Sequence, residues 1–385
     1  MTGTVRLLVG TTKGCFILTA NADRAGWSLS GPFCDGWPIN HAIGRAADGM
    51  LWAAGGNDWV GAGVWRSPDG GETWSLTRFS SGYSDVWIAE NPEFAAQLGL
   101  QPRPPAAFGN EVDAIWSLAS QGDRLYAGSK PAELFLSTDT GETWQKVTGL
   151  HDHPSKQGWE PGAAGLTLHS IVTDPEDAAK LWVGISAAGV FATEDGGKSW
   201  ERRNRLANGN ARGDTETALC VHHLERAPAT NGVGRDLLYQ QNHQGTFRSS
   251  DGGRSWQDIT AGLPSDFGFP IAVDPHDPAT IWVMPLNGDM VGRYPPDAAA
   301  AVWRSCDGGA SWGACREGLP GRNCFFTVLR QAMATDRGRP TGVYFGTNSG
   351  SVFASRDGGD NWAEIARHLP TVLCVETIEG APTGA

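Results

Sequence analysis

The sequence predicts an all-β chain: a ring of seven four-stranded antiparallel blades, a β-propeller. Three observations predict it. A box of the form SxDxGxTW, or a close variant, recurs at 67–74, 137–144, 193–200, 249–256, 305–312 and 355–362, with a worn copy at 22–27. Each box sits in the same context of short apolar runs broken by turns. The chain begins on what reads as a second strand (VRLLVGTTKG) and ends on what reads as a lone first strand (TVLCVETI). A repeat unit of about four short strands, cycled around the whole chain, is the signature of a propeller.

Taken in order, residues 4–30 supply the second, third and fourth strands of blade one, and 371–378 supply its first. The last strand therefore completes the first blade, which closes the ring and hides two sheet edges. Blades two and three carry the boxes at 67–74 and 137–144. Blade four shows the full scheme: HSIVTDP is a first strand ending in a turn, LWVGIS a buried second, GVFATEDGG a third running into the box, and SWERRN a fourth. Blades five to seven repeat it, with IAVDPHDPATIW at 271–282 and VYFGTNSGSVFASRDGGDNW at 343–362 as partial copies. All of 1–385 is thereby one propeller domain. Two insertions, at about 80–110 and 150–165, break the rhythm. Both lead into first strands, so both should lie over the channel face.

The residue types of the box explain themselves. The Asp carboxylate accepts hydrogen bonds from nearby backbone N–H groups in an Asx-type turn. The glycines take positive φ without steric cost. The Trp opens the next strand and packs a large apolar face. The element is a hairpin with its turn chemistry specified.

Composition narrows the partners. Net charge is −12, with no Lys/Arg-rich run, which argues against nucleic acid and anionic membrane. No apolar run approaches the ~18 residues of a membrane span, and the N-terminus lacks a signal-peptide pattern. The seven cysteines form no CxxC pair, so reduced thiols and a cytoplasmic location are expected.

The box resembles the Asp-box, or BNR repeat, of sialidases, sortilin-type receptors, xyloglucan hydrolases and the photosystem II assembly propeller. The chain is most similar to bacterial cytoplasmic Asp-box proteins of the sialidase-like or glycosyl hydrolase-like kind. The resemblance spans nearly the whole chain and implies the fold, whereas the same box serves enzymes and binders alike. It also implies that the boxes lie between third and fourth strands and that function sits on the opposite face, around the channel. True sialidase activity is not expected. There is no Arg-Ile-Pro motif, and only Tyr83 and Tyr294 of five tyrosines could reach a channel. Xyloglucan hydrolases resemble two such propellers facing a cleft, and this sequence supplies one.

Aligning the units places His41, His169 and His222 at the same point of the first strands of blades two, four and five. Trp116, Phe269 and Phe326 take that place in blades three, six and seven. Equivalent points on a ring converge on its axis. The turns between second and third strands add Gln241, Asn242 and His243 in blade five, Asn57 and Asp58 in blade two, Lys130, Lys13, and Asp289 with Arg293 in blade six. His223 points to the other face of its strand and reads as structural. From the insertions come Tyr83, Trp87, Trp159, Glu160, His151 and His153, with Glu111 and Asp113 just after the first.

Three functions fit these residues. The first is a hydrolase of a glycoside or similar small polar substrate. Its catalytic candidates are His169, His243, Glu111 and Asp113, and its substrate contacts are Trp159, Tyr83, Asn242, Gln241 and Arg293. Glycoside hydrolysis needs two carboxylates about 5–5.5 Å or 6.5–9.5 Å apart. The second is a metal-dependent, lyase-like enzyme holding Zn, Mn or Ca through His41, His169, His222 and His243, as imidazole suits the first two and carboxamide oxygen the harder ion. The third is a non-catalytic ligand-binding or assembly propeller. In each case the partner is a small molecule or carbohydrate.

Overall fold

The computed structural model describes residues 4–103, 105–209, 213–229 and 235–379. Among these residues the chain forms seven four-stranded antiparallel sheets. Blade one joins Val372–Glu379 to Val5–Thr11, Gly14–Ala20 and Trp27–Phe33. Its ring-closing register pairs Arg6 with Ile378 and Gly10 with Cys374. Blade two runs from Ile39–Arg45 to Ser75–Ser80, and blade four from Thr167–Asp174 to Glu201–Arg202. The others follow the same order. The core lies between neighbouring sheets, where alternate strand residues from two blades interdigitate, as Trp52, Ala54, Leu118 and Phe135 do between blades two and three.

The boxes form the turns the sequence predicts. In blade four Thr193 donates to Asp195 and accepts from the Gly197 N–H, while Asp195 accepts from the Lys198 and Ser199 N–H groups. These donors hold the Asp195 carboxyl well below its ordinary value, the Ser199 hydroxyl most strongly. Gly196 and Gly197 sit at φ 77° and 90°. In blade three Thr140 replaces the first of these glycines and still takes φ 60°.

The boxes also join blades. The second-strand indoles of Trp52, Trp182 and Trp282 donate to the carbonyls of Thr140, Gly252 and Gly358, each in the box of the next blade. The sequence reading assigned each box Asp to structure. The joint adds a second structural duty for the backbone beside it.

The innermost strands of blades two to five each carry a β-bulge near their start. It falls at Asn40 in blade two, Trp116 in blade three, His169 in blade four and His222 in blade five. Bulges re-aim side chains at ring rims and near sites. They also correct the alignment of the histidines. His41 is equivalent to Ser170 and His223, one residue past the bulge, and not to His169 and His222. His41 Nδ1 accepts from the Leu118 N–H, as Ser170 Oγ accepts from that of Leu224.

The 80–110 insertion folds into two helices, Tyr83–Glu90 and Pro92–Gln97. Asp85 anchors it through Arg78 and through Arg103 at 3.4 Å. Among the described residues no helix is long and apolar enough to cross a membrane.

Candidate functional site

Three openings bear chemistry. The largest is the central channel, a cavity of about 570 Å³. It is lined by first-strand residues and by the turns that follow them, at Pro175, Pro228 and Pro275. Those turns share a face with the boxes: the Gly196 N–H of a box bonds the Ala179 carbonyl of the neighbouring turn. The channel thus opens on the box face, opposite to the expected side. The other face is plugged by the bulge residues. Trp116 meets His169 edge-on at 5.6 Å, His222 lies 4.8 Å from Phe269, and Arg330 sits 4.5 Å over Phe269. Phe326, assigned to this ring from sequence, packs instead in the core of blade seven.

Inside the channel are His41, His169, His223, Glu225 and Glu376. Burial and then the Glu225 charge push the Glu376 carboxyl up to about 8. His223 Nε2 is 2.9 Å from Glu225, and its Nδ1 lies on the Arg330 carbonyl. Burial holds His41 down to about 3, with His223 adding to the effect. His169 is fully buried, both ring nitrogens lack a hydrogen-bond partner among the described residues, and burial keeps it neutral. Among the described residues the group whose ligand atoms converge joins His222 and His243 with Cys220, and His41 and His169 are not part of it. Glu225, Glu376 and the channel role of His223 were missed because the bulges reverse which side of each strand faces the axis.

A second opening of about 210 Å³ lies on the face opposite the boxes. It gathers Cys220, His222, His243, Asp289, Arg293 and Arg330. His243 is 3.2 Å from Asp289, and Arg293 bonds the same carboxylate at 2.6 Å. Gln241 and Asn242, expected as substrate contacts, are buried within the blade-five turn. Gln241 donates to three backbone carbonyls and accepts from the Thr246 hydroxyl. Asn242 donates to the Ala218 carbonyl and accepts from the Gln244 N–H. Both amides are spent on shaping the loop that presents His243.

The third opening, a cleft of about 410 Å³ between blades two and three, is lined by Asn57, Asp58, Trp59, Asp113, Trp116 and Lys130. Asn57 accepts from the Trp59 and Val60 N–H groups, an Asx turn that lifts Asp58 and Trp59 to its tip. The first helix of the insertion docks there, the Tyr83 N–H bonding the Asp58 carbonyl at 2.7 Å. Asp113 is tied by its N–H to the Lys130 carbonyl, also 2.7 Å. The rings of Trp59 and Tyr83 lie 5.5 Å apart and are 54% and 59% exposed. Glu111 is not part of this cleft. Its side chain is 66% exposed and pairs with Lys146. Trp159 is set apart as well: it packs on Phe191 and donates to Ser155, capping the core of blade four. His151 pairs with Glu133, and His153 accepts from the Ser155 N–H.

Comparison with known proteins adds the following. No family model matches the chain. An oligoxyloglucan-reducing end-specific xyloglucanase of Emericella nidulans is 24% identical over 222 residues, 49% of this chain and 25% of the relative. A xyloglucanase of Hypocrea jecorina is 26% identical over 292 residues, 75% of this chain and 30% of the relative. The chain thus spans between a quarter and a third of the length of these relatives. Among solved structures, a GH74 enzyme of Niastella koreensis superposes with a TM-score of 0.58 at 13% identity, covering 92% of this chain and 51% of that one. YCF48 bound to D1 peptide superposes with a TM-score of 0.52 at 14% identity, covering 85% and 82%. At such identities the structures show a shared fold only.

Proposed function

We propose that the chain binds a glycan across the cleft between blades two and three and hydrolyses a glycosidic bond there. Asp58 and Asp113 are the carboxylate pair, and Trp59 with Tyr83 is the shelf on which sugar rings stack. The observation that carries this reading is the meeting of two carboxylates and the exposed Trp59 ring in one cleft, with the Tyr83 ring 5.5 Å from that of Trp59 at its edge. One carboxylic acid protonates the leaving oxygen, and the other carboxylate activates water or attacks the anomeric carbon. Aromatic faces hold the apolar faces of the sugars and fix the scissile bond over the pair. Lys130, in the same cleft, supplies a cation for substrate hydroxyls. The names of the curated relatives support a xyloglucan-type β-glucan as the substrate class.

Release of reducing ends from xyloglucan oligosaccharides tests it. Asp58→Asn and Asp113→Asn should each lower kcat by about 10²-fold or more, while Glu111→Gln leaves it unchanged. Full turnover in both Asp variants would reject the assignment. Wild-type protein that binds the oligosaccharide without cleaving it would make the chain a binding propeller instead.

A further inference from the structure

The opening around His222 contains a constellation that the glycan reading does not use. Cys220, His222 and His243 each present one ligand atom, and the three atoms lie within 4.8 Å of one another. We propose that these residues form a zinc-type site with three protein ligands and one position open to the cleft.

The sequence brings them together through one bulge and one turn. Cys220 precedes the first strand of blade five, and the bulge at His222 swings that ring off the channel towards the next blade. His243 follows the paired second strand, and its N–H bonds the Cys220 carbonyl at 3.1 Å. The blade-five hairpin thus fixes the backbone of all three residues.

The surroundings are those of ligands and not of idle side chains. His222 Nδ1 donates to the Gly268 carbonyl at 2.6 Å, which fixes the tautomer and leaves Nε2 its lone pair. His243 Nε2 faces Asp289 Oδ2 at 3.2 Å, which leaves Nδ1 for a cation. A backbone carbonyl and a carboxylate behind two imidazoles are the outer partners that orient histidine ligands. Cys220 Sγ is 3.1 Å from Ser186 Oγ, a hydroxyl able to donate to a thiolate.

Two histidines and one cysteine suit Zn²⁺ by ligand softness, and three protein ligands with a fourth position free are the pattern of catalytic zinc. Binding transfers the thiol proton to solvent as the sulfur–zinc bond forms. Arg330 lines the same opening, and among the described residues it has no carboxylate partner and its Nε has no hydrogen-bond partner. A thiolate offsets part of that charge, and the guanidinium, held over the Phe269 ring, favours an anionic group at the open position. The site is thus formed from His222 and His243 of the axial set expected from sequence, with Cys220 in place of His41 and His169.

The test uses the whole chain, stripped with chelator and titrated with Co²⁺. One equivalent should bind and give a thiolate-to-cobalt charge-transfer band in the near ultraviolet, lost on adding Zn²⁺. Cys220→Ser should abolish the band, and Asp289→Asn should weaken binding about 10- to 100-fold. Cys306→Ser, at the exposed cysteine, should leave both intact. No stoichiometric cobalt, or a band that survives Cys220→Ser, overturns the site. Neither readout depends on glycan turnover, so failure here and failure at the Asp58–Asp113 cleft are told apart.

Discussion

The Trp182 indole in blade four donates to the Gly252 carbonyl in the box of blade five at 2.8 Å, and both partners are buried. The box glycine therefore does more than turn its own hairpin; it latches the neighbouring blade. Trp182→Phe keeps an aromatic ring but leaves that carbonyl one donor short, with Arg203 still bonded to it at 2.7 Å. A loss of about 1–2 kcal/mol is expected, read as a lower denaturation midpoint with turnover per folded molecule unchanged. An unaltered midpoint would show that the latch contributes nothing.

The ring closes by a different device. Arg24, in the worn box of blade one, reaches Asp336 of blade seven at 3.3 Å, and Tyr344 donates to the same carboxylate at 2.6 Å. Arg24→Ala leaves a buried charge uncompensated, which costs about 3–5 kcal/mol. Asp336→Asn in the same background should recover part of that loss in chemical denaturation. Equal stability of Arg24→Ala and the wild type would contradict the account.

The aromatic shelf is expected to act on binding before chemistry. Trp59→Ala should raise KM for a xyloglucan oligosaccharide about 3- to 10-fold, the equivalent of one stacking contact. Both Trp59 and Tyr83 are more than half exposed, so the fold should tolerate the change. A variant with unchanged KM would remove the shelf from the proposal.

Glu376 makes stability depend on pH. Its folded value, about 8, is above the ordinary 4.5. The neutral acid is therefore favoured by folding, so its contribution is complete below about 4.5 and is lost as pH rises towards about 8. Glu376→Gln, which cannot ionise, should flatten this slope and make the chain more stable than wild type at pH 8, by on the order of 1 kcal/mol or more. Denaturation midpoints at pH 5 and pH 8 check it; parallel slopes in the two proteins would refute it.

The sequence by itself determined the ring. The box residues dictate a hairpin through local hydrogen bonds, and the strand phase at the two termini requires Val372–Glu379 to join Val5–Thr11. Such signals are short-range, so they are legible in one dimension. Part of the proposed glycan cleft was equally local: Asp58 and Asp113 flank turns whose place in the blade follows from the repeat, whereas Tyr83 comes from an insertion. Only the tertiary structure decided which histidines meet. One extra residue at each bulge rotates every later side chain to the opposite face, so that His41 joins His223 in the channel while His222 leaves it for Cys220 and His243. A bulge is set by packing between neighbouring blades, and no spacing within a single strand records it. The same physics explains Gln241 and Asn242, which look like recognition groups in sequence but are consumed, once buried, by backbone groups of their own loop and its neighbours.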